Sequence, residues 1–144
     1  MQRSAQATWT GPLKRGEGRL TTQSASLQDA RFSFPTRFGK EPGANPEELI
    51  AAAHAACFSM AFVHYAEAAG ATPRRVETRA EFHFDFGATG PVVTGVRLFM
   101  RADAGDLSPD RLQSVALQAK ENCLVSRLLN TTVTLEARPW EDRR

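Results

Sequence analysis

Residues 45 to 70 read NPEELIAAAHAACFSMAFVHYAEAAG, and their reading as one long helix sets the frame for the rest of the chain. Asn45 is a favourable N-cap, Pro46 suits the first helical position, and Glu48 completes an Asn-x-x-Glu capping box. Glu47 and Glu48 both stand at the positive end of the helix dipole. Gly70, with Pro73 beyond it, supplies the stop. From Leu49 to Ala69 the strongly polar side chains are His54, His64 and Glu67. About 23 residues at 1.5 Å each give a rod of roughly 35 Å, the width of a small domain.

A helix apolar nearly all round is buried on all sides, in a core or in a bilayer. The bilayer is the weaker reading. His54, His64 and Glu67 interrupt the run, alanines dilute its hydrophobicity, and two acids sit at its start. So short a chain has little to wrap around such a rod. A second copy is the expected cover, and a homodimer the expected assembly.

With 144 residues the chain fits one domain over residues 1–144, long enough for a core without disulfide staples. The formal charge of +2 is small and the arginines are dispersed, which does not suggest nucleic acid. Two cysteines and an N-terminus without a secretory pattern point to the cytoplasm. There a thiol pair serves redox work rather than stapling.

Upstream of the helix, residues 1 to 34 read as short strands of an antiparallel meander. Ala5, Ala7 and Trp9 alternate with polar neighbours, and Gly11-Pro12 and Gly16 to Gly18 mark turns. Phe32, Phe34, Pro35 and Phe38 then surround Thr36 and Arg37, and Gly39 to Asn45 forms a polar loop. An arginine in an aromatic cluster either extends to solvent or needs a partner, because an unpaired buried charge is costly.

Downstream, Val76, Ala80, Phe82, Phe84 and Phe86 share one parity, and Val92, Val96, Leu98, Met100 and Ala102 repeat it after a turn over Gly87 to Pro91. That pattern makes a long antiparallel hairpin. Ser108-Pro109-Asp110 opens a helix that should end near Asn122, and Cys123 to Leu129 reads as a further short helical segment. Thr131 to Ala137 forms a final strand, and Arg143 and Arg144 a loose tail. Strands, long helix, hairpin, helix and strand in that order indicate an α+β fold. Antiparallel sheets should cover the outside of a helical pair.

Cys57 lies within the long helix and Cys123 follows the second one. No metal-ligand spacing such as C-x-x-C or H-E-x-x-H is present, so no metal or other cofactor is expected. Free cysteine often only fills space in a core. Yet both cysteines fall beside helices placed near the core by independent signals, which makes a redox pair a competing reading.

The stretch TRFGKEPGANPEELIAAAHAACFSMAF, residues 36–62, resembles the signature region of the OsmC/Ohr family, the osmotically inducible protein C and organic hydroperoxide resistance proteins. The early Trp9, the GPLKRGEG turn and a second Cys-x-Val-Ser at Cys123 follow in the family's order. The His-Ala-Ala-Cys-Phe-Ser-Met wording and the Thr-Arg-Phe placement resemble the OsmC branch more than the Ohr branch. Leu124 departs from the pattern, which has proline after the second cysteine, and this could alter disulfide closure.

The resemblance implies an intertwined homodimer, with long central helices covered by sheets, acting as a thiol peroxidase on hydroperoxides. Cys57 matches the peroxidatic cysteine and Cys123 the resolving one. Arg37 matches the arginine that holds the thiolate, and Glu47 the glutamate that orients it. An external dithiol, resembling a dihydrolipoyl group more than thioredoxin, would reset the pair.

Chemistry gives each role a reason. A thiol of pKa about 8.5 is only a few per cent thiolate at neutral pH unless a cation assists. Arg37 can supply the charge and donate to the peroxide oxygens.

Ten residues of helix separate Glu47 from Cys57 by about 15 Å. A site using both would therefore draw Glu47 from one copy and Cys57 from another, crossing antiparallel near Ala52 where small residues allow close approach.

His54, three residues before Cys57, is either a core histidine or a base. His64 and His83 read as structural or solvent-facing. Phe32, Phe34, Phe38, Phe58 and Met60 are core residues, some of which could wall a pocket for bulky organic peroxides. Two rival readings stay open: a dimer that binds a hydrophobic ligand without catalysis, and a purely structural dimer.

Overall fold

Three short strands open the chain: β1 (Ala5–Thr10), β2 (Glu17–Thr22) and β3 (Ala30–Ser33), paired antiparallel in the order β1-β2-β3. They belong to a computed structural model that describes residues 1–141. Arg143 and Arg144, read above as a tail, lie outside the described residues. The chain divides into two compact units, Met1–Leu49 and a second beginning at Ile50.

In the first unit Gly18 lies opposite both Trp9 and Phe32, whose rings are 5.7 Å apart. A Cβ on Gly18 would stand 2.2 Å from the Phe32 ring. Glycine is what allows that ring to lie across the strand.

The aromatic stretch around Arg37 is a short helix, α1 (Phe34–Phe38). The Ser33 side chain accepts from the Thr36 amide at 3.3 Å, and the Thr36 hydroxyl accepts from the Ser33 amide at 2.8 Å. This capping box uses threonine where the usual pattern has Glu or Gln, and five residues are too few to show a helical period. The same Thr36 hydroxyl reaches the Ala44 carbonyl at 2.9 Å and ties down the loop after α1.

The long helix is α2 (Pro46–Ala68). The Asn45 side chain accepts from the Glu48 amide at 2.8 Å, as an N-cap should. At the other end Ala71 donates to the Ala66 carbonyl and Gly70 to that of Glu67, both at 2.9 Å, with Gly70 at φ 85°. These are the paired bonds of a Schellman stop. His54, Phe58, Phe62 and Ala66, spaced four apart, are the fully buried positions. The opposite face leaves Ala52, Ala53, Ala56 and Met60 exposed. By length and composition α2 could cross a membrane, but its buried stripe is part of the hydrophobic core of the second unit.

That unit continues with the hairpin of β4 (Arg75–Gly87) and β5 (Gly90–Asp103). The register shifts between His83 and Phe84. Parity therefore holds for Val96, Leu98, Met100 and Ala102, all buried, and fails at Val92, which is half exposed. A bulge turns the strand and reassigns its faces.

Next come α3 (Pro109–Asn122), capped by Ser108, α4 (Leu124–Leu128) and β6 (Val133–Pro139). The expectation of antiparallel sheets needs correction here, because β6 pairs parallel to β5. Two helices intervene between the strands, and a crossover of that kind returns the chain in its original direction. Phe58, Phe62, Leu98, Met100, Leu112, Val115, Ala119 and Cys123 form one core cluster, and the architecture is α+β.

Candidate thiol site

Cys57 stands on α2 between the buried His54 and Phe58, partly buried and packed against the core. Cys123 ends α3, where its amide donates to the Ala119 carbonyl at 2.8 Å, and its extended backbone starts α4 in a new direction. It is 1% exposed. The two cysteines are free thiols, 66 residues apart in sequence, and close enough for Cys57 to act on the Cys123 thiol.

Burial pushes the Cys123 thiol above its ordinary range, because an apolar surround penalises the charged form. The amides of Ser126 and Val125 and the Ser126 hydroxyl act against this by favouring the thiolate, while the neighbouring Cys57 favours the proton staying on Cys123. Leu124 takes the first position of α4 and is 72% exposed. Proline is favoured at that position, and the helix begins there with leucine as well.

The other two candidates meet inside the first unit. Arg37 on α1 grips Glu47 in the first turn of α2 through Nε at 3.0 Å and one terminal nitrogen at 2.6 Å to the same carboxylate oxygen. The carboxylate is largely covered, at 14% exposure, and the guanidinium is open at 41%. The fork fixes the guanidinium plane, which also lies over the Phe38 ring at 4.9 Å. Among the described residues, the other terminal nitrogen of Arg37 has no hydrogen-bond partner. The site residues thus form two couples, Arg37 with Glu47 and Cys57 with Cys123, each within its own unit.

His54 is fully buried and its Nε2 lies 2.7 Å from the Ser126 hydroxyl. Burial lowers its pKa, so the imidazole is neutral. Ser126 is the residue that chemical reading of the sequence passed over. Its signal was the three-residue step from Cys123, which on a helical turn brings its amide and hydroxyl back to the sulfur. Phe58 is sealed in the core, whereas Phe32 lines an apolar cavity of about 250 Å³ in the first unit, with Ala7, Leu20, Pro46 and Leu49. His64 is exposed, and His83 rests on Glu81 at 3.3 Å.

Comparison with known proteins shows the family and the fold. The sequence model of the family described as OsmC-like protein matches residues 39–138. The peroxiredoxin OsmC of Escherichia coli (strain K12) is 38% identical over 136 residues, 94% of this chain and 95% of that protein. The peroxiredoxin OsmC of Shigella flexneri gives the same figures. Among solved structures, the organic hydroperoxide resistance protein OhrB of Bacillus subtilis superposes with a TM-score of 0.73 at 27% identity, covering 93% of this chain and 97% of that one. By sequence and by fold, this chain belongs to the OsmC-like protein family.

Proposed function

We propose that the protein is a thiol peroxidase that reduces organic hydroperoxides, and hydrogen peroxide as well, through Cys57. The observation that carries this reading is the pairing of two free, interacting thiols at one packed core, in a relative of proteins named peroxiredoxin OsmC. A general peroxidase-like role is supported by those relatives and by OhrB, and the assignment of steps to residues is our own.

The Cys57 thiolate attacks the terminal peroxide oxygen. The O–O bond breaks, the alkoxide leaves and is protonated to the alcohol, and Cys57 becomes a sulfenic acid. Cys123 then displaces its hydroxyl as water and closes a disulfide. Arg37, fixed by Glu47, supplies positive charge to the thiolate and to the departing oxygen.

In this reading the charge comes from a second copy. The exposed Ala52, Ala53, Ala56 and Met60 face of α2 gives a crossing helix a close seat, and the working unit is a homodimer with composite sites. A dithiol of the dihydrolipoyl kind reopens the disulfide, and a reducing cytoplasm suits two free thiols.

The test is consumption of cumene hydroperoxide and hydrogen peroxide by the reduced protein with excess dithiol. Turnover by the wild type and none by Cys57→Ser is expected. A second reading, binding of a hydrophobic ligand, is favoured by the apolar cavity beside Phe32. Failure to exceed the rate of dithiol alone would select it.

A further inference from the structure

The resolving step asks for something the core does not readily give. Cys123 must bear developing negative charge while 1% exposed, among Phe58, Leu112, Ala119 and other apolar neighbours of one cluster. Charge forming in such a place needs donors already aimed at it. Three groups beside it act in that sense, each drawing its pKa down: the amides of Val125 and Ser126, and the Ser126 hydroxyl.

The amides are fixed by the backbone, but a hydroxyl rotates and can donate or accept. What fixes this one is His54, whose Nε2 lies 2.7 Å from it across 72 residues of sequence. Nδ1 of the same ring is buried without a partner among the described residues. An unmatched lone pair is less costly to bury than an unmatched N–H, so the proton belongs on Nε2. Nε2–H then donates to the Ser126 oxygen, and the hydroxyl hydrogen is left to point at the Cys123 sulfur.

We propose that Ser126, oriented by His54, donates to the Cys123 sulfur during disulfide closure and so sets the rate of the resolving step rather than of peroxide attack. The inference rests on the peroxidase reading above and assigns a part to two residues that it does not use. In the step, the Cys123 sulfur attacks the Cys57 sulfur, an S–S bond forms and the S–O bond of the sulfenic acid breaks. The Cys123 thiol proton ends on the departing oxygen, giving water. One sulfur is oxidised from thiol, the other reduced from sulfenic acid, and no further reagent is consumed. His54 remains neutral throughout and acts only by holding Ser126. The same donor favours Cys123 as the leaving sulfur when a thiolate attacks the more accessible Cys57 to reopen the disulfide.

The experiment resolves the two steps in a single turnover. Reduced protein is mixed with one equivalent of cumene hydroperoxide. Peroxide loss is followed directly, and closure by the decay of dimedone-trappable sulfenic acid. Ser126→Ala should slow closure about 10- to 100-fold more than it slows peroxide loss, the range expected for a hydrogen bond to a charged group. Ser126→Thr, which keeps the hydroxyl, should return closure to within about three-fold of wild type, a recovery that lost packing would not give. Closure by Ser126→Ala at the wild-type rate would overturn the inference. So would equal slowing of both steps, or a threonine variant as slow as alanine. Absence of peroxide loss in the wild type is a different result, and would remove the peroxidase reading on which the inference stands.

Discussion

In the unit that begins at Ile50, Phe58, Phe62, Leu98 and Leu112 are sealed from solvent, whereas in residues 1–49 the buried polar side chains are Ser33 and Thr36 and no hydrophobic side chain is fully buried. The thiols belong to the first kind of environment and the Arg37–Glu47 couple to the second. The division follows from what each group needs. A pair of sulfurs must be held to a fraction of an ångström to form a bond, which dense packing on α2 and α3 provides. A guanidinium put into that packing would lose its hydration at heavy cost. On α1 it keeps water on one side and a carboxylate on the other.

Four changes would sharpen or break this contrast. Phe62→Ala, which empties a fully buried ring position, should cost about 3–5 kcal/mol in urea unfolding. A loss below about 1 kcal/mol would mean that the second unit does not rely on its core as described. Arg37→Met should lower peroxide turnover about 100-fold, near 2.7 kcal/mol of barrier, while changing stability by less than about 1 kcal/mol, as befits a half-open ion pair. Large unfolding with little kinetic effect would reverse the roles given to the two units.

Gly18→Ala probes the first unit, where backbone fit replaces a core. Its methyl would meet the Phe32 ring, and a loss of about 1–2 kcal/mol in thermal unfolding is expected. An unchanged melting temperature would show that the ring simply moves aside.

The smallest effect concerns His54, whose pKa burial lowers. The unfolded chain then binds this proton more readily than the folded one. Its contribution is present above the ordinary value, about pH 6.5, and is lost as pH falls through the depressed folded value. His54→Gln should therefore flatten the acid side of the stability curve relative to wild type, and an identical slope would sink that assignment.

Much of the fold was legible because local signals agreed with one another. Asn45, Pro46, Glu48 and Gly70 bracket α2 by cap chemistry that needs no tertiary context, and Ser108 does the same for α3. Where legibility failed, the deciding interaction was distant or the element too short. α1 depends on Ser33 and Thr36 capping one another over a single turn. The parity of β5 is broken by a bulge beside Gly95, which holds φ 155° and whose glycine signal a parity count passes over, and the parallel direction of β6 follows from the path of α3 and α4.

The sequence by itself determined the α+β order, the ends of the long helix, and, through resemblance, the four residues Arg37, Glu47, Cys57 and Cys123 as the ones to examine. Those are properties of short windows, where caps, periods and motif wording are written in adjacent residues. Only the tertiary structure decided that the thiols lie close enough to interact, that Arg37 and Glu47 pair within one chain, and that His54 meets Ser126. Each of those contacts joins residues from 10 to 72 positions apart, and such closures are chosen by the packing of the whole core against chain entropy rather than by any local preference.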